Sequence, residues 1–289
     1  MGLSNLSETR RVRLITFANN SLKIEYEGRE STKIIDILYQ YVPANDQPPP
    51  HLTYHLLSTK QAQPLQLYRE DVKLYAGDSV GTAAEFLLGD TCYHLAAHSR
   101  NGLLFHAAGL AWQGRGLLLP GASRAGKSTL AAWLSTKGFD YLTDELVFVE
   151  WGTNTLQCLT RPLNLKHPSR AVLKTSLDFT NLDSQILSSA AADLIPHILL
   201  NPSNTLTQPP LHLIIFPTYQ SNAAFELRPL SKAQTGLALM QTLINARNLA
   251  GHGFAEAARL ARVAPAYRLC YSSFDHFETQ LNRLLAELQ

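Results

Sequence analysis

The strongest chemical pattern in the chain is Gly121-Ala122-Ser123-Arg124-Ala125-Gly126-Lys127-Ser128, a full match to G-x-x-x-x-G-K-[ST]. Its glycines let successive backbone N–H groups turn inward and line a phosphate-sized hollow. A helix beginning at Lys127 points its positive end into that hollow. Lys127 then reaches the β- and γ-phosphates, Ser128 takes one position on Mg²⁺, and Thr129 follows in the first helical turn. The expected ligands are a nucleoside triphosphate and Mg²⁺. Nothing in the pattern encodes the base.

Two further groups fall near the loop. His106 lies in LLFHAAG, on an apolar segment before the turn signature Gln113-Gly114-Arg115. With Gly114 and Arg115 at the tip of a hairpin, Gln113 pairs with Gly116 and His106 lies opposite about Ser123. There it either contacts the γ-phosphate or the accepting group, or is a core histidine bonded inside a sheet. The second group is Thr143-Asp144-Glu145, in which Asp144 comes 17 positions after Lys127. One helix and one return strand bring this acidic pair back beside the loop. A carboxylate there either holds Mg²⁺ or accepts the proton of an attacking hydroxyl, unless the pair is a solvated strand end.

The elements that must position these groups follow from periodicity and punctuation. Leu103–Trp112 and Gly116–Pro120 form the hairpin that feeds the loop, and Lys127–Lys137 forms a helix with Gly138 as its C-cap. Phe139–Leu142 and Leu146–Trp151 read as one strand interrupted by the acidic residues, which Gly152-Thr153-Asn154 turns into Thr155–Thr160. Arg161–Gln208 reads as mostly helix and loop. Leu211–Phe216 is an apolar strand ending at Pro217, with Ala224–Pro229 as its partner. Helices over Ser231–Arg247 and Gly253–Val263, a strand at Tyr267–Tyr271 and a helix at Phe274–Leu288 complete the chain.

The first hundred residues read as a separate small module. Arg11–Ala18 and Ser21–Glu27 form a hairpin through Asn19-Asn20, and Ser31 N-caps a short helix. Strands at His51–Ser58 and Leu65–Ala76, the latter turning near Arg69-Glu70-Asp71, precede a helix over Thr82–Ser99 carrying Ala83, Phe86, Leu87, Tyr93 and Leu95. The expected organisation is an α+β module over 1–100 and a P-loop catalytic domain over 101–289. A hairpin feeding the loop, with acidic residues returning after one short helix, predicts an α/β fold with a mixed sheet rather than a doubly wound parallel one.

Composition narrows the partners. With 45% hydrophobic and 17% charged residues, the 289-residue chain has enough apolar surface to bury a sizeable core. A net charge of +2 argues against a general nucleic-acid or anionic-membrane binder. Cys92, Cys158 and Cys270 are isolated from one another and read as free thiols of a reducing compartment. The N-terminal stretch has no apolar signal region and no apolar run approaches a membrane span, so a soluble cytoplasmic protein is expected.

The run FHAAGLAWQGRGLLLPGASRAGKSTLAAWLSTKGFDYLTDELVFVE resembles the core of the HPr serine kinase/phosphorylase family, above all the HPr-kinase-related proteins of bacterial peptide-modification clusters. RPLNLK (Arg161–Lys166), IIFPTY (Ile214–Tyr219), PLS (Pro229–Ser231) and PAYRLCY (Pro265–Tyr271) extend the resemblance to the C-terminus, while residues 1–100 match loosely. The resemblance implies a nucleotide-binding core similar to that of phosphoenolpyruvate carboxykinase. It implies ATP and Mg²⁺, phosphate and metal binding by Lys127 and Ser128, and His106 near the transferred phosphoryl group. Asp144 would be the base on an acceptor hydroxyl, and Glu145, where the family's bifunctional enzymes have a second Asp, would help with metal. Arg161 and Lys166 would clamp the γ-phosphate or the acceptor, or are solvated loop residues; Arg268 reads as structural. No Glu-x-Arg-Gly-Leu-Gly-like signature follows the acidic pair, a departure that bears on phosphorolysis and on HPr as substrate. Relatives form ring-shaped homo-oligomers, and no interface pattern in this sequence bears on that.

The expected activity is ATP-dependent transfer of the γ-phosphoryl group to a Ser or Thr hydroxyl of a small protein or peptide. Two alternatives stay open: a kinase for a small-molecule hydroxyl, and a nucleotide-dependent binding module without transfer.

Overall fold

The computed structural model describes residues 10–43, 48–58, 64–174, 177–182 and 185–274, together with 277 and 280. The N-terminal part contains β1 (Arg11–Phe17), β2 (Asn20–Glu27), α1 (Arg29–Tyr39), β3 (Thr53–Leu57), β4 (Leu65–Arg69), β5 (Val72–Gly77) and α2 (Val80–Ala97). Its strands lie in the order β1-β2-β3-β4-β5, with β2 and β3 parallel and the other neighbours antiparallel. The first hairpin turns at Ala18-Asn19, one residue before the expected Asn19-Asn20. The Asn20 side chain instead holds the start of β2, donating to Ala18 O at 3.0 Å and to Leu95 O of α2 at 3.3 Å. Helix α1 starts ahead of Ser31, with Gly28 at the cap, and Ser31 is buried within it. On α2 the packed face is Ala83, Ala84, Leu87, Leu88 and Leu95, whereas Phe86 and Tyr93 are exposed, contrary to expectation.

The larger part is mixed α/β. It comprises β6 (Gly102–Trp112), β7 (Arg115–Pro120), α3 (Lys127–Thr136), β8 (Asp140–Thr143), β9 (Leu146–Glu150), β10 (Gln157–Cys158), β11 (Leu163–Lys166), α4 (Arg170–Leu173), β12 (Leu187–Ser188), β13 (Ala192–Ile195), β14 (Leu211–Tyr219), β15 (Glu226–Pro229), α5 (Lys232–Thr242), α6 (Phe254–Val263) and β16 (Ala266–Tyr271). The central eight-stranded sheet runs β10-β9-β6-β7-β14-β16-β15, with β8 also on β6. Strands β7, β14 and β16 are mutually parallel; β6, β8, β9, β10 and β15 pair antiparallel with their neighbours. Both faces are covered. Leu117, Leu119, Leu213 and Ile215 pack with Leu130 and Trp133 of α3, while Leu118, Ile214 and Phe216 pack with Leu239 of α5 and Leu260 of α6. That alternation is the period-2 pattern of strands buried on both sides.

Several expectations are corrected here. Arg161–Gln208 is mostly loop and short helical turns among its described residues, as expected, but contrary to expectation it also holds a small antiparallel sheet, β11-β13-β12. Buried Asp193 holds it together, taking Arg170 Nε and Nη2 at 2.5 Å each and Ser188 Oγ at 2.8 Å. Its strands are two to four residues long, too short to show an alternation. β14 continues through Pro217 to Tyr219; its ladder with β7 ends at Ile214, so the missing Pro217 N–H interrupts no bond to β7. β15 pairs with β16 and not with β14, whose two edges are taken by β7 and β16. Helix α5 ends at Thr242, well before Arg247. The expected helix over Phe274–Leu288 lies largely outside the described residues.

The N-terminal core is continuous with the larger part: Leu104, Leu146, Phe148 and Leu159 pack in the same cluster as Ile15, Leu22 and Leu87. A buried asparagine secures the junction. Asn245 Oδ1 accepts Leu104 N–H at 3.0 Å, and its Nδ2 donates to Gly102 O at 3.0 Å and Ser99 O at 3.3 Å. Each buried group left without a partner costs about 1–3 kcal/mol, so Asn245→Ala is expected to lower stability by about 2–4 kcal/mol in urea unfolding. The three cysteines are free thiols. Among the described residues no helix is long and apolar enough to cross a membrane.

Candidate active site

Strands β7, β14 and β16 are parallel, so their C-terminal ends gather at one edge of the sheet, where ligands of α/β proteins bind. The glycine-rich loop leaves β7 at this edge and enters α3. Gly126, at the N-cap of α3, has φ 90°, and a Cβ there would run into the Tyr271 hydroxyl. Glycine is required on both counts. Two tyrosines from the neighbouring strand ends fix the loop: Tyr271 Oη donates to Gly126 O, and Tyr219 N–H to Ala125 O, both at 3.0 Å. Sequence reading missed both, since their signal lies some ninety to a hundred and fifty residues from the loop.

Lys127 is buried at 5% exposure and donates from Nζ to Gly121 O and Ala122 O at 2.9 Å each. Burial lowers its pKa, and the nearby Glu145 and Asp144 carboxylates oppose that. Ser128 and Thr129 are half-buried, and Thr129 Oγ1 donates to Ser169 Oγ at 3.1 Å, tying α3 to the segment after β11. Gly121–Ser123 and Arg124 form the loop between β7 and α3, Arg124 taking φ 68°.

The hairpin register differs from expectation. Trp112 pairs with Arg115 across a turn at Gln113-Gly114, whose φ values are 51° and 77°. Such a two-residue turn needs positive φ at both central positions, which suits Gly114 and not Arg115. The ladder therefore slides by two, and His106 lies opposite Gly121 rather than Ser123, accepting Gly121 N–H on its carbonyl at 3.4 Å. On its other side β6 pairs with β8 and β9 as halves of one strand, with Gly109–Thr143 and His106–Leu146 in one register. Asp144 and Glu145 are the break between those halves, as expected, and Ala107 N–H donates to Glu145 O at 3.1 Å.

The side chains of the acidic pair differ sharply. Asp144 is 1% exposed; its Oδ1 accepts Arg161 Nη2 at 2.8 Å, Arg161 Nε at 3.1 Å and Tyr141 Oη at 3.0 Å, and its Oδ2 accepts Asn164 N–H at 3.2 Å. Glu145 keeps a third of its side chain exposed, with Oε2 at 3.1 Å from Arg161 Nη2 and Oε1 at 3.5 Å from His106 Nε2. Burial works to lower the Arg161 pKa, and the two carboxylates outweigh it and hold the guanidinium well above its ordinary value. Burial and then the Lys127 ammonium hold His106 below its ordinary value, against the opposing pull of Glu145 and Asp144. Arg161 is buried between the carboxylates; Lys166 is exposed at the end of β11, and Arg268 is exposed on β16.

These groups share a cavity of about 780 Å³. His106, Lys127, Ser128, Asp144, Glu145, Arg161 and Lys166 all contribute to its wall, with Tyr219 and Tyr271 beside the loop. Among the described residues no cluster of three or more His, Cys, Asp or Glu would cage a metal. Mg²⁺ needs none, since it binds through one or two carboxylates, phosphate oxygens and water. The donors beside the loop, a hydroxyl and two carboxylates, fit such a hard cation.

Next to the site, His197 packs its ring 4.4 Å from Tyr41 and 6.4 Å from Tyr141, and burial lowers its pKa to about 4. An unfolded histidine takes up its proton near pH 6.5, so between about pH 6.5 and 4 the unfolded chain binds more protons. Stability is therefore full above that window and is lost as pH falls through it, by on the order of 3 kcal/mol from this group. His197→Leu should flatten the pH dependence of urea midpoints across that range.

No family model matches the chain, and no curated protein matches it. Among solved structures the chain is similar to the Hpr(Ser) kinase/phosphatase from Coxiella burnetii, at 13% identity and a TM-score of 0.30, over 63% of this chain and 93% of that chain.

Proposed function

We propose that the protein is an ATP-dependent kinase that transfers the γ-phosphoryl group to a hydroxyl of a peptide or small protein. One observation carries this reading: the loop lysine and an open carboxylate backed by Arg161 and His106 face a single cavity. A passive nucleotide switch would need the loop but not that array. Phosphoryl transfer asks mainly for positioning and charge stabilisation, which the loop N–H groups, Lys127 and the helix end supply. Mg²⁺, when bound, would neutralise phosphate charge; Ser128 Oγ and Asp144 Oδ2, which accepts a single N–H bond, are the donors that fit it.

The resemblance gives the base to Asp144 and metal help to Glu145. The geometry supports the reverse. Asp144 Oδ1 is occupied by Arg161 and Tyr141 while Oδ2 takes only Asn164 N–H, which suits a rigidly held metal ligand or anchor rather than a free base. Glu145 is the carboxylate open to an incoming hydroxyl. Glu145→Gln should lower transfer by about 10²–10⁴-fold, the usual contribution of a general base, while nucleotide affinity holds in a fluorescent-analogue titration. Normal transfer by Glu145→Gln, with transfer lost in Asp144→Asn, would return the base to Asp144.

A further inference from the structure

A second cavity, of about 790 Å³, also reaches the acidic pair, at Glu145. One wall is α2, through Glu85, Leu88 and Tyr93; the other is the segment after α5, through Leu243, Ile244 and Arg247. Its inner end is formed by Glu145, Arg161 and Asn164, which also line the first cavity. The two spaces thus meet at the carboxylate assigned above as the proton acceptor. In-line transfer places attacking and leaving oxygens at opposite ends of the phosphoryl group, so donor and acceptor must arrive from different sides. One cavity holds the phosphate loop; the other reaches the same carboxylate from elsewhere.

We propose that this second cavity is the acceptor site and that it takes a Ser- or Thr-bearing peptide segment with apolar and charged neighbours. The proposal rests on the kinase reading above. Three features point to a peptide rather than a small metabolite. The walls are mainly apolar, and two wall residues, Tyr93 at 67% exposed and Ile244 at 44% exposed, present much of their surface to solvent. A metabolite confined to the cavity would leave that surface uncovered. Arg247 is exposed and makes no hydrogen bond or ion pair among the described residues, while Glu85 stands on the other wall, so the site offers one charge of each sign to a peptide's flanks. Gly89 lies in the middle of α2 on the cavity wall, and a Cβ there would meet nothing within 4 Å. The helix is open where a chain would lie against it. In the reaction the acceptor oxygen bonds to the γ-phosphorus, the bond to the β,γ-bridging oxygen breaks with its electron pair leaving on ADP, and the hydroxyl proton passes to Glu145.

The test uses the full-length protein, γ-labelled ATP with Mg²⁺, and a synthetic library with one central serine and degenerate flanks. The wild type should label peptides with apolar flanks and an acidic residue on one side. Arg247→Glu should shift that preference from acidic to basic by at least tenfold. Gly89→Trp, which fills the cavity at an exposed helix position, should cut peptide labelling by at least tenfold while nucleotide affinity stays within twofold. Full labelling by Gly89→Trp, or flank preferences unmoved by Arg247→Glu, would overturn the proposal. Nucleotide binding with label passing to small hydroxyl compounds and to no peptide would overturn it and leave the kinase reading standing. Absence of nucleotide binding by the wild type would overturn both.

Discussion

Lys127→Ala is expected to abolish phosphoryl transfer and to weaken nucleotide binding by on the order of 10²-fold or more. The ammonium is held at the mouth of the loop by Gly121 O and Ala122 O, so it is positioned before any phosphate arrives. A hydrogen bond to a charged group contributes about 1.5–3 kcal/mol, and a lysine reaching both β- and γ-phosphates makes two. Removing one preorganised donor from a developing charge costs a further 10²–10³-fold, roughly, in turnover. The fold should survive, because Gly121 is half-buried and Ala122 exposed, so water can replace the amine at their carbonyls. Titration with a fluorescent nucleotide analogue, paired with a thermal melt, separates the effects. Unchanged affinity in a folded variant would mean that the loop does not hold phosphate.

The largest effect on stability is expected from Arg161→Met. Arg161 is 5% exposed and Asp144 1%, so removing the guanidinium strands a buried carboxylate beside Tyr141. Breaking a buried pair by removing one partner costs about 3–5 kcal/mol, while replacing both by neutral groups of similar size costs far less. The double variant Asp144→Asn/Arg161→Met should therefore recover much of what Arg161→Met loses, despite carrying one more substitution. Urea unfolding of the two singles and the double gives the coupling directly. Additive losses would show that the two side chains do not act as a buried pair. Because Arg161 also contacts Glu145, transfer should fall in both variants, which distinguishes stability from positioning.

The protein's loop and its acidic pair could be found without coordinates, for different reasons. The G-x-x-x-x-G-K-S pattern is local: glycine freedom, an N-terminal helix end and a lysine at fixed spacing need no distant partner. The acidic pair stood out as charge inside an apolar strand, and its return after one helix follows from chain length alone. Where the expectation slipped, turn geometry decided. Positive φ at Gln113 and Gly114 moved the hairpin by two residues and placed His106 against Gly121. A triad of candidate turn residues does not say which two of them sit at the tip.

What sequence alone determined, then, is the loop, the hairpin that feeds it, the strand carrying Asp144 and Glu145, and a mixed α/β arrangement. These rest on interactions within about forty residues, where spacing and backbone preference act directly. Tertiary structure decided the division of labour. It put Arg161 between the two carboxylates, closed Asp144 with Tyr141 and Asn164, and left Glu145 open between two cavities. It also brought Tyr219 and Tyr271 from the ends of parallel strands onto the loop that began as a bare motif. Those contacts depend on strand order and on small strands held by single buried polar groups, and neither leaves a periodic trace along the chain.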